Sequence, residues 1–229
     1  MFIPIATVRH RILRHDSSLI RVIDNGVERK PKFHELKHIF VSQTKQMQGN
    51  VVKIELPLGS LRLKVHFEGN ENTVTIHSRV AGTCDILFHD NCGFVEIGQG
   101  CTLPSCFMNV TASGIRIGND CMGAKDLTFY ANDAHALFDT ESGALLNEKA
   151  PPIVIGNHCW LGKGASFTKN AVIPDDTIVG MNAVVTKTFT EKYTAIAGVP
   201  AKVVHHHIGW DRATPAQFML QQNNKMRPE

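Results

Sequence analysis

The sequence predicts an all-β fold in which very short strands follow one another around a coil. The main observation is an uninterrupted six-residue period between residues 155 and 190, with a compact residue four positions after each of the first five large ones. A period of six fits neither the 3.6 residues per turn of a helix nor the two of a strand. It fits a coil whose inner corners each hold one large side chain. The large residues are Ile155, Leu161, Phe167, Ile173, Val179 and Val185, and the compact ones are Cys159, Ala165, Ala171, Thr177 and Ala183.

The repeat extends towards the N-terminus with less regularity. The stretches from Ile97 to Cys101 and from Ile117 to Cys121 copy the one from Ile155 to Cys159. We therefore expect the coil to occupy residues 51–190. Weaker traces of the pattern are Phe88 with Cys92, Val74 with Ile76, Val65 with Phe67, and Ile54 with Leu56.

Composition narrows the functional classes. The chain has 229 residues, 43% of them hydrophobic, and a net charge of +3. The hydrophobic content is high enough for a continuous core in a chain of this length. The small net charge does not indicate nucleic-acid binding. Cysteines at the compact coil position are predicted to be reduced and buried, since free cysteine packs as a small hydrophobe. These are Cys92, Cys101, Cys121 and Cys159.

The regions outside the repeat have separate expected roles. Residues 1–50 are predicted to cap the open end of the coil, with a hairpin at Asn25-Gly26 and a helix over Phe33–Met47. Residues 130–152 form a long loop, and residues 191–229 a C-terminal strand, a loop and a tail with a short helix. The N-terminal apolar stretch is too short and broken for a signal peptide, and no apolar run is long enough for a transmembrane segment. A cytoplasmic location is the resulting prediction.

Three separate motifs resemble the hexapeptide-repeat acyltransferases, and in particular the O-acetyltransferases that modify capsular polysaccharide, lipopolysaccharide or sialic acid. They are the loop from Asp133 to Asp139, the stretch from Gly156 to Lys163, and Thr186-Lys187 with the segment from Ala197 to Lys202. The segment from Ile208 to Arg212 is also similar to capsule acetyltransferases. The resemblance implies a left-handed parallel β-helix. It also implies acetyl-CoA as co-substrate, a sugar hydroxyl of a surface or capsular glycan as acceptor, and a homotrimer with its active sites between subunits.

The resemblance also implies roles for individual residues. His135 is the expected general base, with Trp160 beside the reacting acetyl group. Asn132 and Asp133 are expected near the acceptor. The residues expected along acetyl-CoA are Trp160, Gly162, Lys163, Met181, Thr186, Lys187 and Lys202.

The residue types suit the chemistry of acetyl transfer. A neutral imidazole can take the proton of a sugar hydroxyl near neutral pH, and the oxygen then attacks the thioester carbonyl. A backbone N–H between Trp160 and Gly162 is a suitable oxyanion donor. Asp133 or another carboxylate is expected to hold the imidazole tautomer, and lysines suit the cofactor phosphates. Two positions depart from the family pattern, namely Met181 in place of a small alanine and His205 in place of arginine.

Three other functions remain open. An N-acetyltransferase on an amino sugar, or a serine-type enzyme, would use the same cofactor groove. A hexapeptide-repeat zinc enzyme of the carbonic-anhydrase type would need three converging histidines, for which His89, His135 and His158 are the candidates. A non-enzymatic scaffold would not turn over acetyl-CoA. The favoured function requires no metal, and close cysteine pairs typical of zinc sites are absent from the sequence.

Overall fold

The computed structural model describes residues 15–133, 135–148 and 151–225. In this part of the chain, strands dominate and one α-helix follows them. The strands are β1 Ile20–Asp24, β2 Val27–Arg29, β3 Ile39–Gln43, β4 Val51–Glu55, β5 Leu61–Phe67, β6 Thr73–Ile76, β7 Ala81–Phe88, β8 Phe94–Ile97, β9 Thr102–Val110, β10 Gly114–Ile117, β11 Met122–Gly123, β12 Leu127–Tyr130, β13 Ile153–Ile155, β14 Trp160–Leu161, β15 Ser166–Thr168, β16 Val172–Ile173, β17 Ile178–Val179, β18 Val184–Val185, β19 Thr194–Ala197 and β20 Lys202–His206. Helix α1 spans Pro215–Lys225.

The strands stack in parallel as a solenoid of about seven coils. The first face contains β1, β4, β6, β8, β10, β13 and β16. The second face contains β11, β14, β17 and β19, and the third contains β3, β5, β7, β9, β12, β15 and β18. Strand β9 joins the last two faces, because Thr102 pairs with Met122 of β11 and Cys106 pairs with Leu127 of β12. The cross-section is therefore three-sided, with one six-residue repeat on each side, since Ile155 pairs with Ile173 of the next coil.

The core is a continuous column of side chains inside the coil. All six large residues of the main repeat are at most 1% exposed. Aromatic rings stack in two places, with centroids 5.1 Å apart for Phe67 and Phe88 and 4.8 Å apart for Phe129 and Phe167. Offset stacking stabilises such pairs by about 0.5–1.5 kcal/mol beyond area burial.

Cys101, Cys121 and Cys159 stack at the corner between the first and second faces, and all three are buried and reduced, as predicted. Each thiol donates to a backbone carbonyl of the next coil, namely those of Gly118 at 3.0 Å, Gly156 at 3.1 Å and Pro174 at 3.3 Å. The neighbouring Cys101 thiol lowers the pKa of Cys121, but the Cys159 thiol and burial outweigh it and raise that pKa to about 12. The Cys121 thiol is therefore held in its unreactive, protonated form.

The prediction that Cys92 is buried is wrong. Cys92 is exposed and has a φ of 57°. Parallel pairing aligns Ile86 with Met108, Met108 with Phe129, and Phe129 with Phe167. The repeat position of this coil is therefore Ile86 and not Phe88. Phe88 therefore lies two residues beyond the repeat position, and a residue four further on falls in an outer turn.

The N-terminal segment contains the predicted hairpin but not the predicted helix. Asn25 and Gly26 have φ values of 50° and 79° and connect the antiparallel strands β1 and β2. In place of a helix over 33–47, Phe33–Leu36 form a single 3-10 turn and β3 pairs in parallel with β5. The apolar residues from 39 onwards follow a period of two, with Ile39 and Val41 buried. Such a short apolar run fits both periods, and tertiary pairing decided in favour of the strand.

The parallel sheets begin upstream of residue 51, since β1 pairs with β4 and β3 with β5. Strand β2 closes the end of the first sheet in antiparallel pairing. This placement agrees with a capping role, although residues 1–14 lie outside the described part and the domain boundaries stay predictions. At the other end, β20 turns back antiparallel to β19, and the predicted short C-terminal helix is confirmed as α1. Among the described residues, no helix combines the length and apolarity that crossing a membrane requires.

Candidate active site

The long loop leaves the coil after Tyr130, at the end of a third-face strand, and returns at Ile153 on the first face. A bridge between Phe138 and Leu145 folds part of it into a hairpin. Several apolar side chains of the loop are half or more exposed, including Phe138 at 61% and Leu146 at 67%. An exposed apolar cluster on a loop is a feature of contact surfaces.

Asn147 holds the first part of the loop in place. Its Nδ2 donates to the carboxylate of Asp133 at 3.1 Å and to the carbonyl of His135 at 2.7 Å. Its Oδ1 accepts from the backbone N–H of Leu137 at 2.9 Å. The backbone N–H of His135 donates to the carbonyl of Asp133 at 2.8 Å. The backbone on both sides of His135 is therefore fixed by one amide side chain.

Lys169 ties this network to the coil. Its ammonium pairs with the carboxylate of Asp133, whose side chain is 29% exposed. The pairing with Lys169, supported by Asn147, lowers the pKa of Asp133 against the opposing effect of burial. Asp133 is therefore ionised at neutral pH and serves as an anchor between loop and coil.

The imidazole of His135 is exposed, and the described residues offer it no hydrogen bond or ion pair. The Asp133 carboxylate contacts Lys169 and Asn147 instead. The expectation that Asp133 orients the imidazole therefore has no supporting contact among the residues that the structure describes. Asn132 donates from Nδ2 to the carbonyl of Thr111 at 3.0 Å, which fastens the base of the loop.

Trp160 lies on the second face, in register with Met122 and Ile178, and its indole is 41% exposed. The Trp210 ring lies beside it, with centroids 6.2 Å apart. Within one chain, Trp160 is across the coil from the corner that carries the His135 loop. No hydrogen bond or ring contact joins that loop to Trp160 among the residues that the structure describes.

Four of the predicted cofactor residues lie at the end of the second face nearest the third. Gly162 and Lys163 follow β14, Met181 stands one coil further, and Lys202 pairs with Ala197. Lys163 and Met181 are exposed. Glycine at position 162 is also explained by packing alone, because a Cβ there would lie 2.6 Å from the carbonyl oxygen of Val179.

Thr186 and Lys187 lie elsewhere. They follow β18 and so stand at the far end of the third face, near the corner that carries the loop. The Lys187 ammonium lies 5.3 Å from the centroid of the Phe189 ring. The expectation that the whole cofactor set stacks along one edge of the coil is thus not met within one chain, because strand β18 lies between Met181 and Thr186 and places them at opposite ends of the third face.

The histidines weighed for a zinc site have partners of their own. His89 lies 2.7 Å from Glu68, and His158 lies 3.0 Å from Asp176. In the described part of this single chain, no three side chains of the ligating types come together. Among the described residues, neither histidine shares a hydrogen bond with His135.

Two solved acetyltransferase structures have a fold similar to that of this chain. The chain superimposes on the crystal structure of the polySia-specific acetyltransferase NeuO with a TM-score of 0.67 and 24% identity, covering 83% of this chain and 99% of that one. For the polysialic acid O-acetyltransferase OatWY the TM-score is 0.66 at 24% identity, covering 83% and 96%. The fold is therefore the left-handed β-helix of this class, as predicted.

Sequence relatives carry the same resemblance. The chain is 32% identical over 126 residues to the polysialic acid O-acetyltransferase of Escherichia coli O1:K1 / APEC, a match that covers 55% of the chain and 40% of the relative. It is 30% identical over 112 residues to the putative lipopolysaccharide biosynthesis O-acetyl transferase WbbJ of Escherichia coli (strain K12), covering 43% and 56%. The chain thus spans about half the length of the curated relatives it matches. No protein-family model matches it. The predicted resemblance to glycan O-acetyltransferases is confirmed.

Sequence reasoning missed Asn147 and Lys169 and did not assign a role to Trp210. Asn147 and Lys169 are single polar residues without a motif, and Lys169 is 36 positions from its partner Asp133. Nothing in the local pattern distinguishes either from an ordinary surface residue. Trp210 does stand in a recognisable motif, but its contact with the Trp160 region is visible only in the folded chain.

Proposed function

We propose that the chain is an acetyl-CoA-dependent O-acetyltransferase that acetylates a sugar hydroxyl of a surface or capsular glycan. The reaction class is inferred mainly from the 32% identity to a polysialic acid O-acetyltransferase. The shared fold with two polysialic acid acetyltransferase structures supports it. The exposed imidazole on an anchored loop supports His135 as the reacting base.

In the proposed mechanism the acceptor hydroxyl approaches His135 from solvent. The imidazole nitrogen takes the hydroxyl proton as the oxygen attacks the acetyl carbonyl, and later returns it to the leaving sulfur. Acetyl-CoA supplies an activated thioester, which needs no covalent enzyme intermediate. The network of Asn147, Asp133 and Lys169 holds the loop so that the imidazole is presented without reorganisation. Such preorganised placement is worth several kcal/mol of barrier.

The chain's own residues fit a polyanionic co-substrate. Lys163 is exposed three residues after Trp160, and within the described part of the chain its ion pair is a long, exposed one with Asp126 at 3.9 Å. A pair of this kind contributes little and is easily exchanged for a phosphate. Lys202 lies along the same edge and is exposed. We infer that Trp160 and Gly162 meet the acetyl end, that Met181 lines the arm, and that Lys163 and Lys202 meet phosphates.

The placement of His135 and Trp160 on different sides of one coil favours an assembly in which they meet between copies. In the proposed homotrimer, the loop of one subunit reaches the Trp160 groove of the next. The same arrangement would bring Thr186 and Lys187, near the loop corner, towards the neighbour's Lys163 edge. The exposed Phe138 and Leu146 of the loop would then be covered.

A subunit-mixing experiment tests the function and the assembly together. His135→Ala and Trp160→Ala variants are each expected to be nearly inactive with acetyl-CoA and a panel of capsular glycans, with acetyl gain followed by mass spectrometry. Co-expressed in equal amounts, they should recover activity at about one quarter of the sites, where an intact His135 meets a neighbour's intact Trp160. Recovery shows sites shared between subunits. Absence of recovery, with an active wild type, would place both residues in one subunit or remove one from the site.

The N-acetyltransferase alternative uses the same groove and is separated by the acceptor. An amino sugar whose hydroxyls are blocked would be acetylated only by an N-acetyltransferase. The names of the relatives favour the hydroxyl. A cytoplasmic location belongs to the same proposal, since acetyl-CoA is made and used there.

A further inference from the structure

The segment of residues 208–214, here called the C-terminal strap, folds back across the coil. It follows β20, and the backbone N–H of Ile208 donates to the carbonyl of Tyr193 at 3.0 Å. From there it passes His158, then Asp120, then Gly100, which belong to three successive coils. These specific contacts hold the strap where it crosses three coils, at the corner between the first and second faces.

Arg212 is the main anchor of the strap. Its Nε donates to Asp120 Oδ1 at 2.9 Å and its Nη1 to Thr102 Oγ1 at 3.0 Å. Its Nη2 donates to the carbonyls of Gly100 at 3.2 Å, Asp120 at 3.3 Å and Cys121 at 3.1 Å. The rigid fork of a guanidinium meets several acceptors at once, which an ammonium cannot copy.

Trp210 is fixed from two sides. Its ring stacks on the imidazole of His158 at a centroid distance of 4.4 Å with 11° between the planes. Its Nε1–H donates to the carbonyl of the same residue at 2.8 Å. Asp176 in turn holds His158 at 3.0 Å. The guanidinium of Arg212 lies 5.8 Å from the Trp210 ring.

This fixed indole lies beside Trp160, with centroids 6.2 Å apart and a tilt of 43° between the planes. The Trp160 indole is half-exposed, and its nitrogen has no hydrogen-bond partner among the described residues. The strap therefore supplies the wall against which Trp160 rests on the side facing the first face. The cofactor edge with Lys163 lies on the opposite side.

We infer that the C-terminal strap is a positioning element of the transfer site, in which Arg212 places Trp210 and Trp210 sets the orientation of Trp160. This inference rests on the proposed function, in which Trp160 contacts the acetyl end of acetyl-CoA. A misplacement of about 1 Å at such a position can cost on the order of 100-fold in rate. Neither strap residue needs to touch the reacting atoms.

The chain provides a matched control for Arg212. Arg116 on the first face also donates from Nε to a carboxylate at 2.9 Å, that of Glu96, and lies 5.4 Å from an aromatic ring, that of Phe94. Arg212→Met should lower kcat/KM for acetyl-CoA by about 10- to 100-fold, whereas Arg116→Met should leave it within about twofold. Trp210→Phe, which keeps the stack but loses the N–H donor, should have a smaller effect than Trp210→Ala.

A spectroscopic measurement reports the geometry without activity. Trp160 and Trp210 are the two tryptophans of the chain, and rings this close couple their transitions into a circular-dichroism couplet. The couplet should vanish in Trp210→Phe, weaken in Arg212→Met and persist in Arg116→Met. A full couplet and wild-type kinetics in Arg212→Met would overturn the inference, as would a lost couplet with unchanged acetyl-CoA kinetics. An inactive wild type with an intact couplet would instead refute the proposed function, and the positioning role with it.

Discussion

Asn147→Ala removes the amide that holds the backbone around His135. Three hydrogen bonds are lost, to Asp133, to the carbonyl of His135 and from the N–H of Leu137. At about 1 kcal/mol each, reduced because the site is partly exposed, the loss amounts to roughly 2 kcal/mol of loop order. That corresponds to about a 30-fold change in the ratio of ordered to disordered loop.

The expected result is a fall in kcat of roughly 10- to 30-fold with little change in the KM for acetyl-CoA, because the proposed cofactor edge is untouched. The melting temperature should hardly move, since the loop lies outside the core and opens independently of it. Steady-state kinetics with varied acetyl-CoA, together with a thermal melt, measures both.

Asn70→Ala is the matched control. The Asn70 side chain also accepts from a backbone N–H, that of Gln48, at 2.8 Å, but in the turn after β5, three coils before the one that carries the loop. It should leave kcat unchanged. A wild-type kcat in Asn147→Ala, or an equal loss in Asn70→Ala, would refute the positioning of His135 by this amide.

Other perturbations have equally definite outcomes. His135→Ala should lower turnover by about 10²–10⁴-fold while acetyl-CoA binding, followed by tryptophan fluorescence, persists; a near-wild-type rate would remove His135 from the mechanism. Cys121→Leu should overpack its corner and lower the free energy of unfolding by about 1–3 kcal/mol in urea titration, and an unchanged midpoint would contradict the observed packing. Lys202→Glu should raise the KM for acetyl-CoA at low salt and less at high salt; equal KM values would move the phosphates elsewhere. His77 lies between Glu55 at 2.9 Å and Glu96 at 3.3 Å, and although burial opposes it, these hydrogen bonds raise the pKa of His77 above 6.5. Its stabilising effect is therefore complete below pH 6.5 and lost as the pH rises through the folded pKa, a slope that His77→Gln should abolish in pH-dependent melts.

Much of the fold was predictable because the coil repeats a local rule. Each large residue, such as Leu161 on β14 or Phe167 on β15, is buried inside the coil, and the register of one coil sets that of the next. Where the rule weakens, prediction failed. Cys92 was misplaced because its count started from Phe88, at the end of a longer strand, and a helix was assigned to residues that form β3 because a short apolar run supports both periods.

The candidate site was likewise predictable from the sequence only in part. His135 and Trp160 stand in motifs that resemble those of glycan O-acetyltransferases, so the sequence by itself predicted the class of chemistry and the residues to examine. Their surroundings depended on tertiary structure. Asp133 meets Lys169 from 36 positions away, and Arg212 meets Gly100 from 112 positions away. Such contacts leave no local pattern, because a single polar side chain has the same sequence signature whether it faces water or a distant coil. Only the folded chain decided which of them hold the loop, which hold Trp160, and on which sides of the coil the two are presented.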